Sequence, residues 1–195
     1  MGILNVTPDS FYDGGRHSDE DKIKDQINKL IGEGADFIDV GGYSSRPGAE
    51  HISVLEEEKR LLPVLELIRK HNSEIIISVD TFRHEIAQKC VESFEVDMIN
   101  DISAGQLDDK MFETIARLKV LYIMMNMKGT TQNMKEKANY DDLRSEIIFY
   151  FSEKYDRLKK MGVHDLIIDS GFGFAKNIDP NFALLKNLDD LSIFG

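Results

Sequence analysis

The chain has 195 residues, 42% hydrophobic and 30% charged, with a formal net charge of −11 and one cysteine. That length can bury a sizeable core as one domain, and the composition is ordinary for a soluble globular protein. The acidic balance argues against nucleic acid, because gripping a phosphate backbone needs a basic surface. No apolar run approaches the about 18 residues of a membrane helix, and no basic stretch precedes an apolar core as in a secretory signal. Cys90 has no second cysteine to pair with and sits in a helical pattern, so a buried, inert thiol in a reducing cytoplasm is expected.

In chain order, strand candidates fall at Gly2–Leu4, Phe37–Val40, Ile75–Val79, Val96–Ile99, Val120–Met125 and Leu166–Ile168. Several are continuous apolar runs, as parallel strands covered on both faces require. Helical periods lie between them. Ile23, Ile27, Leu30 and Ile31 follow one face of a helix, with Ser18 or Asp19 as the expected N-cap. Leu55–Lys70 is a second helix in which Pro63 predicts a kink or a break. Glu85–Glu92, Asp109–Leu118 and Leu143–Met161 supply further helices, and no linker interrupts the series.

Repeated strand–helix units mean an α/β fold, either an open sheet or a closed barrel. The strand ends favour the barrel. They read Asn5, Gly41-Gly42, Asp80-Thr81, Asn100-Asp101, Asn126 and Asp169-Ser170, a polar group at nearly every C-terminal end. In a (β/α)8 barrel all such ends meet on the rim that holds the active site. Singly, each of these residues is as well explained as a helix cap or turn starter. The expected fold is therefore a (β/α)8 TIM barrel of which about the first six β/α units are present. A whole barrel takes about 250 residues, and NLDDLSIFG reads as the approach to a seventh strand.

Four places carry chemistry. The loop NVTPDSFYDGG offers Asn5 and Asp13 to a hard cation such as Mg2+, which prefers a few protein oxygens plus phosphates; an ordinary polar loop is the plainer reading. The loop GGYSSRPGAE carries Ser44, Ser45 and Arg46, suited to an anion or to plain exposure. Asp80, Asn100 and Asp169 match an amino-heterocycle with several N–H donors, since a carboxylate accepts two parallel hydrogen bonds. A metal cluster is the alternative, but no histidine accompanies the three. GFGF at Gly171–Phe174 reads as a tight turn presenting Phe174, and among Met124, Met125 and Met127 mostly core is expected, with one able to lie against a ring. Zinc spacing, a P-loop and a dinucleotide glycine motif are all absent from the sequence.

Taken together, MGILNVTPDSFYDGG, EGADFIDVGGYSSRPGAE, ISVDT, INDISAG, YIMMNMKGT and IIDSGFGFAKN resemble dihydropteroate synthase, of the pterin-binding barrel family. The resemblance covers 1–195 as a partial pterin-binding domain. It implies condensation of 6-hydroxymethyl-7,8-dihydropterin pyrophosphate with p-aminobenzoate, giving 7,8-dihydropteroate and pyrophosphate for folate synthesis. Asp80, Asn100 and Asp169 would bond the pterin, with Met125 and Phe174 on its faces. Asn5 would meet Mg2+ and pyrophosphate, and Asp13 would order the first loop beside them. Phe11, Ser45, Arg46 and Pro47 would form the p-aminobenzoate pocket, which is the sulfonamide site of the family. Asp13 and Arg46 stand as the catalytic pair, and a homodimer is implied for the full-length enzyme.

The departures are Tyr43 and Ser45 in a loop that more usually reads Glu-Ser-Thr-Arg-Pro, Asn126 for histidine, Lys128 for arginine, and Ser170 for the proline after the pterin aspartate. Ser170 suggests a looser turn at Asp169. The family's seventh-strand Ser-Arg-Lys and eighth-strand Arg-x-His segments have no counterpart here, so a truncated record of a working enzyme is expected, inactive as the isolated piece. An inactive barrel fragment that at most binds pterin, and a methyltetrahydrofolate-type barrel, are the alternatives.

Overall fold

The computed structural model describes residues 1–6, 16–46, 50–130, 132–134 and 139–194. Phe11, Asp13 and Pro47 lie outside the described residues. Strand alternates with helix throughout: the architecture is α/β, the first six strand–helix units of a (β/α)8 barrel. Among the described residues no helix is long and apolar enough to cross a membrane.

The chain divides into two compact units. The first contains β1 (Gly2–Asn5), α1 (Arg16–Gly32), β2 (Phe37–Gly41), α2 (Val54–His71), β3 (Ile76–Asp80), α3 (His84–Phe94) and most of β4 (Met98–Asp101). Its strands lie in the order β1-β2-β3-β4, all parallel. Ile38, Val40, Ile77, Val79 and Ile99 are fully buried on one face of this sheet, as are Leu61, Leu65 and Ile68 of α2 and Ile86, Ala87 and Cys90 of α3. On the other face Asp39 and Ser78 are buried too, while Ile3 and Ile76 stay exposed. Burial on both faces at the centres of β2 and β3 is why these strands read as runs rather than alternations.

The second unit, from Asp101 onward, holds α4 (Met111–Leu118), β5 (Leu121–Met125), α5 (Leu143–Lys160), β6 (Leu166–Asp169), α6 (Ile178–Lys186) and a 3-10 helix (Leu188–Phe194). Strands β5 and β6 pair in parallel. Tyr122 and Phe151 are its largest fully buried side chains.

Four local expectations change. Helix α1 begins at Arg16, so Ser18 and Asp19 lie within it rather than capping it. Pro63 sits inside one continuous helix, α2. Proline forfeits a single backbone hydrogen bond, whereas the burial of Leu61, Val64, Leu65 and Ile68 around it needs an unbroken face. Strand β4 starts at Met98, two residues late, though Val96 is buried. The stretch 178–186 forms α6, a helix the periodicity did not predict, with Pro180 in the first turn where its missing N–H costs nothing, and 188–194 follows as a 3-10 helix.

Two glycines set opposite limits. Gly34 closes α1 at φ +92°, its N–H bonded to Ile31 O and that of Ala35 to Leu30 O at 3.0 Å each, with open space where a Cβ would stand. Gly171, at φ +68°, passes so close to β5 that a Cβ would lie 2.2 Å from the Asn126 carbonyl oxygen. We expect Gly34→Ala to lose about 1 kcal/mol, the left-handed strain alone. Gly171→Ala should lose about 3 kcal/mol or more, because backbone must move as well; urea denaturation of the two variants checks the contrast. Burial pushes the Cys90 thiol up to about 12, with the Glu57 and Glu58 charges adding to the effect. The folded protein should therefore resist iodoacetamide at pH 8 and react once unfolded, as mass spectrometry would record.

Candidate functional site

Parallel pairing aligns the polar strand ends of the first unit into one row. Asn5 pairs in register with Gly41, Gly41 with Asp80, and Asp80 with Asn100. Register partners in a parallel sheet point to the same face, so the three side chains stand side by side. Gly41 leaves the gap into which its neighbours lean: a Cβ there would lie 3.2 Å from Asn5 Oδ1 and 3.4 Å from Asp80 Oδ2. Asn5 is exposed, while Asp80 and Asn100 are half-buried.

Two residues down β2 and β3, on the same face, a second polar layer of Asp39 and Ser78 lies beneath the row. Asp39 is buried and accepts hydrogen bonds from Ser78 Oγ at 2.5 Å and Asn100 Nδ2 at 3.2 Å. Burial raises its carboxyl pKa, and the two hydrogen bonds pull it back. The residue-level reading passed over Asp39. Its signal was a lone acid inside the apolar strand FIDVG, a charge that β2 would bury only with partners.

The second loop departs from β2 beside another buried network. Glu57 accepts from Thr81 Oγ1 at 2.7 Å and from Arg83 Nη1 at 2.6 Å. Arg83 Nη2 donates to Ile52 O at 2.5 Å, and its guanidinium lies 5.5 Å from the Tyr43 ring. The Tyr43 hydroxyl is 3.2 Å from His51 Nδ1. Tyr43, the departure from the usual glutamate, thus helps fasten one end of the loop to the other. Between them Ser45 is partly exposed and Arg46 exposed.

In the second unit Met125 and Asp169 are register partners on one face. Met125 is buried, in keeping with the core expectation, although its Cγ would stand 3.2 Å from a Cβ at Gly171. Asp169 Oδ1 accepts the Gly171 N–H at 2.8 Å, and its backbone oxygen takes the Asn126 N–H at 3.0 Å. The carboxylate is therefore held without the proline that Ser170 replaces. The GFGF segment does turn, through a 3.1 Å bond from Phe174 N to Gly171 O with positive φ at Gly171 and Gly173, and leaves Phe174 half-buried.

A buried lysine ties this turn together. Lys176 Nζ donates to Asn126 Oδ1 at 2.9 Å, Gly171 O at 3.1 Å, and Asn126 O and Phe174 O at 3.2 Å each. Burial lowers its pKa to about 8, against the opposing pull of the Asp169 charge. Asn126, where histidine is usual, here receives this ammonium. Asp101 organises the loop after β4 in the same manner, accepting from Tyr122 Oη at 2.7 Å and from the Ser103 and Gly105 N–H groups at 2.8 Å. Lys176 and Asp101 were also missed as positioning groups. Neither has a sequence pattern that separates it from a surface charge.

Among the described residues no three His, Cys, Asp or Glu converge on a metal. What the row does offer a hard cation is the exposed carboxamide of Asn5, which fits an ion that draws most of its oxygens from water and phosphate. Two charged or polar tiers on rigid strand ends, one of them presenting paired carboxylate and carboxamide acceptors, suit a flat heterocycle with N–H edges.

The chain matches the family described as pterin binding enzyme over residues 1–195. It is 40% identical to the Pneumocystis carinii folic acid synthesis protein fol1, over 98% of this chain and 26% of that protein. It is 38% identical to the dihydropteroate synthase of Synechocystis sp., over 100% of this chain and 68% of that one. The crystal structure of Yersinia pestis dihydropteroate synthase in complex with a sulfonamide drug superposes with a TM-score of 0.89 at 36% identity, over 99% of this chain and 70% of that one. The chain thus spans about a quarter of the fungal protein's length and about two thirds of the other two. Matched along its whole length in sequence and in backbone, it belongs to the pterin-binding, dihydropteroate synthase family.

Proposed function

We propose that the protein carrying this chain is a dihydropteroate synthase, joining 6-hydroxymethyl-7,8-dihydropterin pyrophosphate to p-aminobenzoate. The observation that carries this reading is the acid–amide row at the ends of β1 to β4, in a chain that matches the family throughout.

In this reading Asp80 and Asp169 each accept N–H groups of the pterin, Asn100 bonds the same ring, and Met125 and Phe174 lie against its faces. The carbon–oxygen bond of the hydroxymethyl pyrophosphate breaks and the electron pair leaves with pyrophosphate. The arylamine nitrogen of p-aminobenzoate then bonds the methylene carbon and releases one proton to solvent. The electrophile is a pterin-methyl cation, so catalysis needs stabilised charge and excluded water more than a strong base. Anionic Asp80 and Asp169 at the ring favour positive charge on it. Lys176 holds the Phe174 turn, keeping the apolar wall in place. Asn5 would hold Mg2+ with the pyrophosphate, and the ion when bound neutralises the departing anion. Asp13 and the second loop, with Phe11, Ser45, Arg46 and Pro47, would close over p-aminobenzoate. That pocket is where a sulfonamide, such as the one bound to the Yersinia pestis enzyme, would compete.

The decisive assay supplies dihydropterin pyrophosphate, p-aminobenzoate and Mg2+ to the protein and follows dihydropteroate and pyrophosphate. We expect both products in equal amounts, inhibition by sulfonamides competitive with p-aminobenzoate, and no turnover after chelation. Asp80→Ala and Asp169→Ala should each lower kcat/KM by about 100-fold or more, the worth of two charge-assisted hydrogen bonds. Tight binding of methyltetrahydrofolate that p-aminobenzoate does not disturb would overturn the reading in favour of a methyl-carrier pterin barrel.

A further inference from the structure

Asp39 lies one layer below the ligand-facing row and takes no part in the chemistry just described. Its carboxylate is buried at 4% exposure, between Ser78 Oγ and Asn100 Nδ2. Strand β3 separates β2 from β4 in the sheet order. Asn100 therefore reaches over Ser78 to meet Asp39, beneath the gap that Gly41 leaves. Both backbone neighbours of Asp39, Ile38 and Val40, are fully buried on the opposite face.

A carboxamide has one end that only accepts and one that only donates, and the two ends are nearly the same size. What decides which way it stands is its partner. Both Asp39 oxygens accept, one from Ser78 Oγ and the other from Asn100 Nδ2, so Asn100 aims an N–H inward. The amide oxygen is then turned toward the other side, together with the second N–H. Resting on the pterin reading above, we propose that Asp39 is a specificity-determining positioning residue, which fixes the Asn100 amide so that its oxygen faces the bound heterocycle as an acceptor. The pair thereby selects ligands with N–H donors at that edge over isosteres that present an acceptor there. Ser78 secures the opposite carboxylate oxygen and prevents Asp39 from rotating away.

The substitution that isolates this role is Asp39→Asn, which keeps the shape but supplies a donor, so that Asn100 can stand either way round. Two readouts apply to the whole protein. The first needs no ligand: the Asn100 side-chain amide protons, seen by 15N-edited NMR, should form one slowly exchanging pair in the unsubstituted protein. In Asp39→Asn that pair should broaden or double and exchange faster. The second is discrimination, the ratio of Kd for 6-hydroxymethylpterin to that of its analogues with the 2-amino group replaced by oxygen or the 4-oxygen by an amine. We expect this ratio to shrink by about tenfold for one of the two, the worth of one hydrogen bond. Ser78→Ala, which loosens the carboxylate without altering its acceptor character, should shrink it by about threefold or less. Unchanged Asn100 resonances in Asp39→Asn would overturn the orientation claim, as would altered resonances with unaltered discrimination for the specificity claim. Should Asp39→Asn not fold, an unsplit, fast-exchanging Asn100 amide in the unsubstituted protein overturns the proposal by itself. Failure of the unsubstituted protein to bind any of the pterins overturns the functional reading, a result distinct from either.

Discussion

Parallel strand register is the constraint on which the rest of the first unit depends. One hydrogen-bonded ladder places Asn5, Gly41, Asp80 and Asn100 in a single row, although 95 positions separate the first from the last. Because side chains alternate with a period of two, a slip of one residue in any strand would send its polar end to the helix side and an apolar residue to the opposite face. The hydrophobic faces forbid that slip. Ile38, Val40, Ile77, Val79 and Ile99 are all fully buried, and each would have to trade places with a polar neighbour. The core thus does not merely support the site; it sets the site's registration.

Below the row, buried polar groups are held in matched sets. Asp39 with Ser78 and Asn100, Glu57 with Thr81 and Arg83, Asp101 with Tyr122 and Ser103, and Lys176 with Asn126 and Gly171 each give a buried charge hydrogen-bond partners inside the protein. Such sets add little net stability beyond what an apolar replacement would give, but losing one member leaves a buried charge without a partner. Their effect is on geometry. Each of them fastens a loop or a side chain that follows a strand end, which is where a barrel of this class places its chemistry.

The same economy appears in the turn after β6. Asp169, Phe174 and Lys176 lie within eight consecutive positions, and a catalogue of motifs sees in them only a short glycine-rich turn. In the folded chain Gly171 lies against the backbone of Asn126, the residue after β5, where the Asn126 carbonyl meets the Lys176 ammonium, and the carboxylate of Asp169 turns onto the Gly171 N–H. With asparagine for the usual histidine at 126 and serine for proline at 170 this arrangement is closed, by the lysine bonding both backbone oxygens and the Asn126 side-chain oxygen.

The α/β class, the six strands and the polar strand ends were legible in the sequence, because apolar runs and the residues that end them are local properties. Asp80, Asn100 and Asp169 stood out for the same reason. Helix ends were read less well: α1 begins earlier than its apparent cap, and Pro63 lies inside an unbroken α2, since burial of a whole face outweighs one missing backbone bond. Asp39, Asp101 and Lys176 were not legible as parts of a site. Their meaning lies in partners distant in sequence or hidden by a turn, such as Asn100 for Asp39, 61 residues away. Sequence by itself determined which elements form and which residues end them. Tertiary structure alone decided which of those ends stand side by side and which buried charge meets which amide, because hydrogen-bond geometry exists only once the strands are in register.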